Sequence, residues 1–218
     1  MKAGIRTRIK ICGITRIEDG AFAVERGADA LGFVLWDKSA RHVEPARMAT
    51  IAREMPSFVS IVAVFVNPTD EEVQAALDAW PAATLQFHGE EPADFCARFE
   101  RPWMKTVRAR AGIDLIESFS PYHRASAWLV DAFHDELYGG TGKRFDWSLV
   151  PRGLSRPMVL SGGLSAENVG DAIEHLHPYA VDVSTGVERG KGIKDAGKIA
   201  SFVAAVREAD RGASIEQA

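Results

Sequence analysis

The feature of this sequence that most constrains its fold is the alternation of short apolar runs with segments of helical spacing. Runs such as "RIKIC", "VSIVAVFV" and "AWLVDA" have the β-branched composition of buried strands. Each is followed by a segment in which apolar residues recur with the period of an amphipathic helix. Strands that alternate with helices in this way form a parallel sheet, because each helix returns the chain to the start of the next strand.

Eight such units can be counted along the 218 residues. They predict an α/β protein that closes into a (β/α)8 TIM barrel, with residues 1–218 as a single domain. A doubly wound open sheet is the alternative, but it usually has fewer strands, and its common G-x-G-x-x-G motif after the first strand is missing here. The terminal residues 1–6 and 209–218 are expected to fray.

Charge and cysteine content exclude several classes of protein. The formal net charge of −4 gives no support to a nucleic-acid-binding face. Two cysteines, Cys12 and Cys96, are too few for a disulfide framework, so a reduced, cytoplasmic setting is expected. The N-terminal segment lacks the apolar core of a signal peptide, and no apolar stretch is long enough for a membrane span.

Polar residues gather where the predicted strands end, and barrel enzymes carry their catalytic groups at the C-terminal ends of strands. Cys12 ends the first strand, and Asp131 ends the sixth. A lone strand cysteine is often an ordinary core residue, so a base role for Cys12 competes with that reading. Asp131 indicates a catalytic acid, a helix cap or a structural ion pair, because an isolated buried carboxylate is costly. The other strand-end candidates are Arg41, Gln86, His88 and Arg108.

Two glycine-containing turns indicate a phosphate site. "SGG" (161–163) and "STG" (184–186) each follow an apolar strand, the seventh and the eighth. Glycine lets backbone N–H groups approach an anion, and the loops after these two strands form the usual phosphate site of a barrel. Tight strand-to-helix turns also favour glycine and serine, which is the alternative for either turn alone. The occurrence of both on adjacent strands favours phosphate.

Two other patterns in the sequence have possible functional interpretations. "YGGTGK" (138–143) differs from the P-loop pattern, and we interpret the surrounding loop (133–147) as a lid over the site. Cys12, His88 and Asp131 are candidate zinc ligands, but no C-x-x-C or H-x-x-x-H spacing supports them.

Taken in order, these motifs resemble those of the phosphoribosylanthranilate isomerase family, single-domain barrels of tryptophan biosynthesis. The matching stretches include "KICGIT", "GADALGFVLWDKSARHVEP", "LQFHGEE", "LVDAF", "LSGGLSAENV" and "AVDVSTGVE". The resemblance implies an Amadori rearrangement that converts N-(5′-phosphoribosyl)anthranilate into 1-(2-carboxyphenylamino)-1-deoxyribulose 5-phosphate. It implies no metal or organic cofactor.

The resemblance also implies roles for individual residues. Asp131 would be the general acid that opens the furanose ring, and Cys12 would be the general base that removes the proton from the sugar C2. Arg41 would bind the anthranilate carboxylate through its planar guanidinium. The residues implied to hold the phosphate are Gly163, Ser184, Thr185 and Gly186. The segment "VERGKGIKD" departs from the family, in which a proline precedes a lysine-rich turn.

Other functions are alternatives. A barrel like indole-glycerol-phosphate synthase would need a catalytic lysine at a strand end, for which Lys10 and Lys105 are available. Isomerases of the histidine pathway use a carboxylate where this chain has Cys12. A non-catalytic phosphate-binding barrel would have an inert Cys12 and an ion-paired Asp131. The expected partner is a small phosphorylated substrate, without nucleic acid or membrane, and the chain is expected to act as a monomer, with a homodimer as the alternative.

Overall fold

The computed structural model of the protein describes residues 6–110, 112–131, 149–151 and 154–215. Eight parallel strands form a closed barrel in chain order, and the eighth pairs with the first. The predicted (β/α)8 fold is therefore confirmed. The barrel strands are β1 (Arg8–Cys12), β2 (Ala30–Val34), β3 (Ser60–Phe65), β4 (Thr84–Phe87), β5 (Trp103–Arg108), β6 (Ala127–Asp131), β7 (Met158–Ser161) and β8 (Ala180–Val183).

Helices cover the outside of the barrel. They are α1 (Ile17–Glu25), α2 (Pro45–Arg53), α3 (Asp70–Ala79), α4 (Ala93–Ala97), α5 (Leu115–Phe119), α6 (Val169–Leu176) and α7 (Ala196–Ile215). Local sequence explains where they begin: Thr69 and Glu72 form a capping box at α3, and α2 begins with Pro45, where no N–H donor is needed. None of the helices in the described part of the chain has the length and apolar content that a membrane crossing requires.

Successive residues of a strand face opposite sides of the barrel wall, and this alternation places Cys12 inside. Ile9 and Ile11 are fully buried in the large apolar core between strands and helices. Cys12 packs instead against Val62 in a separate, smaller cluster. Lys10 is two residues before Cys12 on β1, so it shares the inner face. The interior of the barrel therefore holds polar as well as apolar side chains.

A short antiparallel hairpin after β8 was not predicted. Its strands are β9 (Glu188–Gly190) and β10 (Ile193–Lys194). It lies in the segment where the sequence departs from the family pattern. The hairpin brings two charged side chains back towards the barrel mouth, as described below.

The C-terminal end differs from the expectation of fraying, because α7 is helical as far as Ile215. Asp210 on α7 accepts hydrogen bonds from the backbone N–H of Thr7, at 3.0 and 3.1 Å. At the other end of the chain, Arg6 pairs with Asp29. The extent of the single domain stays a prediction, and the glycine-rich loop of residues 133–147, including 138–143, lies outside the described residues.

Candidate active site

The candidate acid and base lie at the same end of the barrel. Cys12 is the last residue of β1 and Asp131 the last residue of β6. Going around the wall, β7 and β8 separate these two strands. The turns after β7 and β8 carry the predicted phosphate-binding residues, so the candidate phosphate region lies between acid and base.

The Cys12 thiol lies in a narrow space, and the residue is only 9% exposed. Gly32 on β2 makes room for it. A Cβ atom at Gly32 would lie 2.7 Å from Cys12 Sγ and 3.0 Å from Lys10 Nζ. Burial raises the pKa of the Cys12 thiol, and the Lys10 ammonium opposes that shift. The protonation state of the thiol therefore depends on the balance between burial and a nearby positive charge.

Lys10 forms a buried ion pair with Asp182 of β8. Lys10 Nζ and Asp182 Oδ2 are 2.9 Å apart, and the two side chains are 4% and 5% exposed. From the sequence, Lys10 was a candidate for a synthase-like lysine, whereas Asp182 had no predicted role. The only sequence signal for Asp182 is its position two residues before Ser184, which puts it on the inner face of the barrel.

Asp131 is held by a row of polar side chains from β4 and β5. Asp131 Oδ2 lies 3.3 Å from His88 Nε2, and His88 Nδ1 lies 3.3 Å from Gln86 Nε2, which also contacts the Thr106 hydroxyl at 3.4 Å. Because the Gln86 amide contacts Nδ1, the His88 ring presents Nε2 to the Asp131 carboxyl group. Gln86 and His88 therefore orient the candidate acid, whereas the side chain of Arg108, beside Asp131 in register, is exposed.

Arg41 reaches the mouth from the loop after β2. Its Cγ would lie 3.2 Å from a Cβ atom placed on Gly13, the residue after Cys12. The guanidinium donates through Nε and Nη2 to the Glu188 carboxylate, at 2.9 and 2.6 Å. The predicted carboxylate-binding arginine is therefore at the site, and a carboxylate of the protein orients it.

Lys194 on β10 links Glu188 to the turn after β8. Its fully buried ammonium lies 3.0 Å from Glu188 Oε1 and donates to the Ser184 carbonyl at 3.1 Å. Burial opposes ionisation of Glu188, but its bonds to Arg41 and Lys194 lower the pKa of the carboxyl group. One buried network therefore connects Arg41 to the candidate phosphate turn. Neither Glu188 nor Lys194 was predicted from the sequence.

The turns after β7 and β8 pack directly against each other. A Cβ atom on Gly186 would lie 2.0 Å from the carbonyl oxygen of Leu164, so only glycine allows this approach. Gly163 has a φ of 64°, and no atom lies within 4 Å of its Cβ position. The Asn168 amide fixes the turn by donating to the Gly163 carbonyl at 2.9 Å. The predicted phosphate residues gathered here are Gly163, Ser184, Thr185 and Gly186.

The geometry gives no support to a metal site or to Lys105 as a synthase-like catalytic lysine. Within the described ranges, no three His, Cys, Asp or Glu side chains converge as a metal site requires, so Cys12, His88 and Asp131 do not form one. Lys105 is on the outer face of the barrel wall, where it pairs with Glu91 at 2.6 Å. A synthase-like lysine at this position would face away from the mouth.

Comparison with known proteins identifies the family. A family model described as N-(5'phosphoribosyl)anthranilate (PRA) isomerase matches residues 9–205. A relative from Dechloromonas aromatica, named N-(5′-phosphoribosyl)anthranilate isomerase, is 52% identical over 206 residues, which cover 94% of this chain and 99% of the relative.

Solved structures agree with the sequence comparison. Phosphoribosyl anthranilate isomerase from Thermotoga maritima superposes with a TM-score of 0.85 and is 41% identical, covering 93% of this chain and 99% of that one. A phosphoribosyl anthranilate isomerase in complex with reduced 1-(o-carboxyphenylamino)-1-deoxyribulose 5-phosphate has a TM-score of 0.82 and 38% identity, with the same coverage of 93% and 99%. This chain therefore belongs to the N-(5′-phosphoribosyl)anthranilate isomerase family.

Proposed function

We propose that this protein isomerises N-(5′-phosphoribosyl)anthranilate to 1-(2-carboxyphenylamino)-1-deoxyribulose 5-phosphate, an aldose–ketose isomerisation of tryptophan biosynthesis. The observation that carries the proposal is the arrangement of the barrel mouth. A thiol on β1 and a carboxyl group on β6 flank the paired turns of β7 and β8. Family membership supplies the substrate that fits between them.

Asp131 is the general acid of the first step. It protonates the furanose ring oxygen, so that the bond between C1 and this oxygen breaks while the anthranilate nitrogen forms a Schiff base at C1. The contact with His88 at 3.3 Å supports this role, because it fixes the direction of the carboxyl group. A positioned general acid contributes roughly 10²–10⁴-fold to the rate.

Cys12 is the general base of the second step. Its thiolate removes the proton from the sugar C2, and the electron pair of the C–H bond moves towards the protonated Schiff-base nitrogen. The enolamine that forms tautomerises to the ketone product. Because the electron sink belongs to the substrate itself, the mechanism requires no metal or organic cofactor.

The two ends of the substrate bind on either side of the reacting carbons. Arg41 pairs with the anthranilate carboxylate, a task that suits its planar guanidinium. The phosphate binds to the turns that contain Gly163, Ser184, Thr185 and Gly186. In support, Gly163 and Thr185 are exposed at the mouth, and the glycines let backbone donors approach an anion.

The test is turnover of phosphoribosylanthranilate generated in situ, followed by loss of anthranilate fluorescence. We expect Cys12→Ala and Asp131→Asn each to lower kcat/KM by at least about 10²-fold. Cys96→Ala is the matched control, because Cys96 is also buried but contacts the Glu91 carbonyl outside the site; it should retain wild-type activity.

Two results would contradict parts of the proposal. Full activity of Cys12→Ala would leave the reaction standing but remove the base assignment. A wild-type protein that binds sugar phosphates without turnover would favour the non-catalytic phosphate-binding barrel.

We also propose that the active unit is a single chain in the cytoplasm, with a homodimer as the alternative assembly. In support, the site residues described above all lie on one chain, and both cysteines are free and buried, as expected in a reducing compartment. Sedimentation velocity at assay concentrations tests the assembly: a dimer that persists on dilution would contradict the monomer.

A further inference from the structure

Charged side chains from three elements surround the Cys12 thiol. Lys10 lies on the same strand, Asp182 acts on the thiol from β8, and Lys194 acts on it from β10. The neighbours described on β2 and β3 are glycine and valine, which carry no charge. Among the described residues, two lysines and one carboxylate therefore act with burial on the ionisation of the thiol.

The fold holds the Lys10 ammonium group beside the Cys12 sulfur. A Cβ atom placed on Gly32 would lie 2.7 Å from Cys12 Sγ and 3.0 Å from Lys10 Nζ. The sulfur and the ammonium group therefore lie close to each other. The 2.9 Å bond to Asp182 fixes the ammonium there, in a space where both side chains are almost fully buried. A buried ion pair is weak support for stability, since apolar residues of similar volume often replace it without loss.

We propose that Lys10 is a positioning residue for catalysis, held by Asp182 so that its ammonium group stabilises the Cys12 thiolate. The inference rests on the proposed role of Cys12 as the base, because a thiol acts as a base only when it is deprotonated. Burial raises the pKa of the Cys12 thiol, and Lys10 is the strongest of the neighbours that oppose this effect. Asp182 keeps the buried Lys10 charged. Its own negative charge raises the pKa of the thiol, but by less than Lys10 lowers it.

A purely structural ion pair is the competing explanation, and the chain contains a matched control for it. Lys105 and Glu91 form a second buried pair, 2.6 Å apart with side chains 3% and 2% exposed. This pair lies on the outer face of the wall. Removal of this pair should lower the free energy of unfolding as removal of Lys10 and Asp182 does, but it should not change the pKa of the Cys12 thiol.

The experiment uses the full-length protein with Cys96→Ala, which leaves Cys12 as the only cysteine. Thiolate ultraviolet absorbance is titrated against pH for Lys10→Met and Lys105→Met, and the pH profile of kcat/KM is recorded for each. Removing one partner of a buried pair leaves an unpaired charge that can prevent folding. The double variants Lys10→Met/Asp182→Asn and Lys105→Met/Glu91→Gln avoid this problem, and circular dichroism verifies their fold.

We expect Lys10→Met to raise the thiol pKa by about one unit or more, so that the thiolate fraction below that pKa falls about tenfold. The acid limb of kcat/KM should move to higher pH by the same amount. The Lys10/Asp182 double variant should shift in the same direction by less, because the opposing carboxylate is also gone.

The inference would be overturned if folded Lys10 variants had the same thiol pKa as the wild type and as the Lys105 control variants. The titration needs no turnover, so this outcome is distinct from failure of the proposed function. An active Cys12→Ala variant would reject the base role whatever the titration shows.

Discussion

At the scale of single residues, the candidate site depends on a glycine, Gly32, as well as on charged side chains. A Cβ atom at Gly32 would lie 2.7 Å from Cys12 Sγ and 3.1 Å from Cys12 Cα. We therefore expect Gly32→Ala to displace the thiol and to lower kcat/KM by at least about tenfold, with a loss of about 1–3 kcal/mol in the free energy of unfolding from overpacking. Steady-state kinetics and urea unfolding measure the two effects.

Gly170→Ala is the control for this substitution. Gly170 is in α6, and no atom lies within 4 Å of its Cβ position, so alanine should leave kcat/KM unchanged and slightly stabilise the helix. Wild-type kinetics for Gly32→Ala would show that the thiol tolerates displacement.

The same scale shows what the sequence could predict of the site. Cys12 and Asp131 could be predicted as candidates because a polar residue at the end of an apolar strand is visible locally. The contacts that hold the site were not found, because their partners are far apart in sequence. Lys10 and Asp182 are 172 residues apart, and Arg41 and Glu188 are 147 residues apart. Only the closed barrel brings such partners together.

At the scale of elements, the β9–β10 hairpin is a part of the fold that the sequence did not predict. The barrel strands and the long helices were recognised because they repeat a hydrophobic period over several residues. The hairpin strands have three and two residues, which is too short for a periodic signal. Their effect on the site comes from Glu188, whose bond to Arg41 requires the closed barrel, and from Lys194, which contacts Glu188 and Ser184 nearby in sequence.

The hairpin carries a prediction about substrate affinity. Glu188→Gln keeps the shape of the side chain but removes the charge that holds Arg41 at 2.9 and 2.6 Å. Charge-assisted bonds of this kind contribute about 1.5–3 kcal/mol, so we expect KM to rise by at least about tenfold, with a smaller effect on kcat. Full saturation curves with purified protein would separate the two constants.

Glu44→Gln serves as the control for Glu188→Gln. Glu44 is 76% exposed and lies 3.7 Å from His42 in the loop that also carries Arg41, so its charge should have little effect on KM. A fall in KM for Glu188→Gln would show that Glu188 competes with the substrate carboxylate for Arg41 instead of orienting it.

At the scale of the whole molecule, the barrel must close by pairing its first and last strands. β1 and β8 pair in parallel, with Ile9 opposite Val181. The sequence predicted closure from the number of units, but it did not predict what supports the seam. The end of α7, from residue 209, was expected to fray, yet Asp210 supplies part of that support from the outside by accepting from the Thr7 N–H. Arg207, one turn earlier on α7, donates to the Thr7 carbonyl.

Deletion of residues 209–218 tests this support. Asp210 accepts from the backbone N–H of Thr7, which is 6% exposed, and the loss of a partner for such a donor costs about 1–3 kcal/mol. We therefore expect a loss of at least that size in the free energy of unfolding, measured in urea. We expect kcat/KM to be unchanged, because Thr7 precedes the start of β1 and so lies at the end of the barrel opposite the mouth. Deletion of residues 216–218 alone should leave stability as in the wild type. If both deletions leave stability unchanged, the end of α7 does not support the barrel seam.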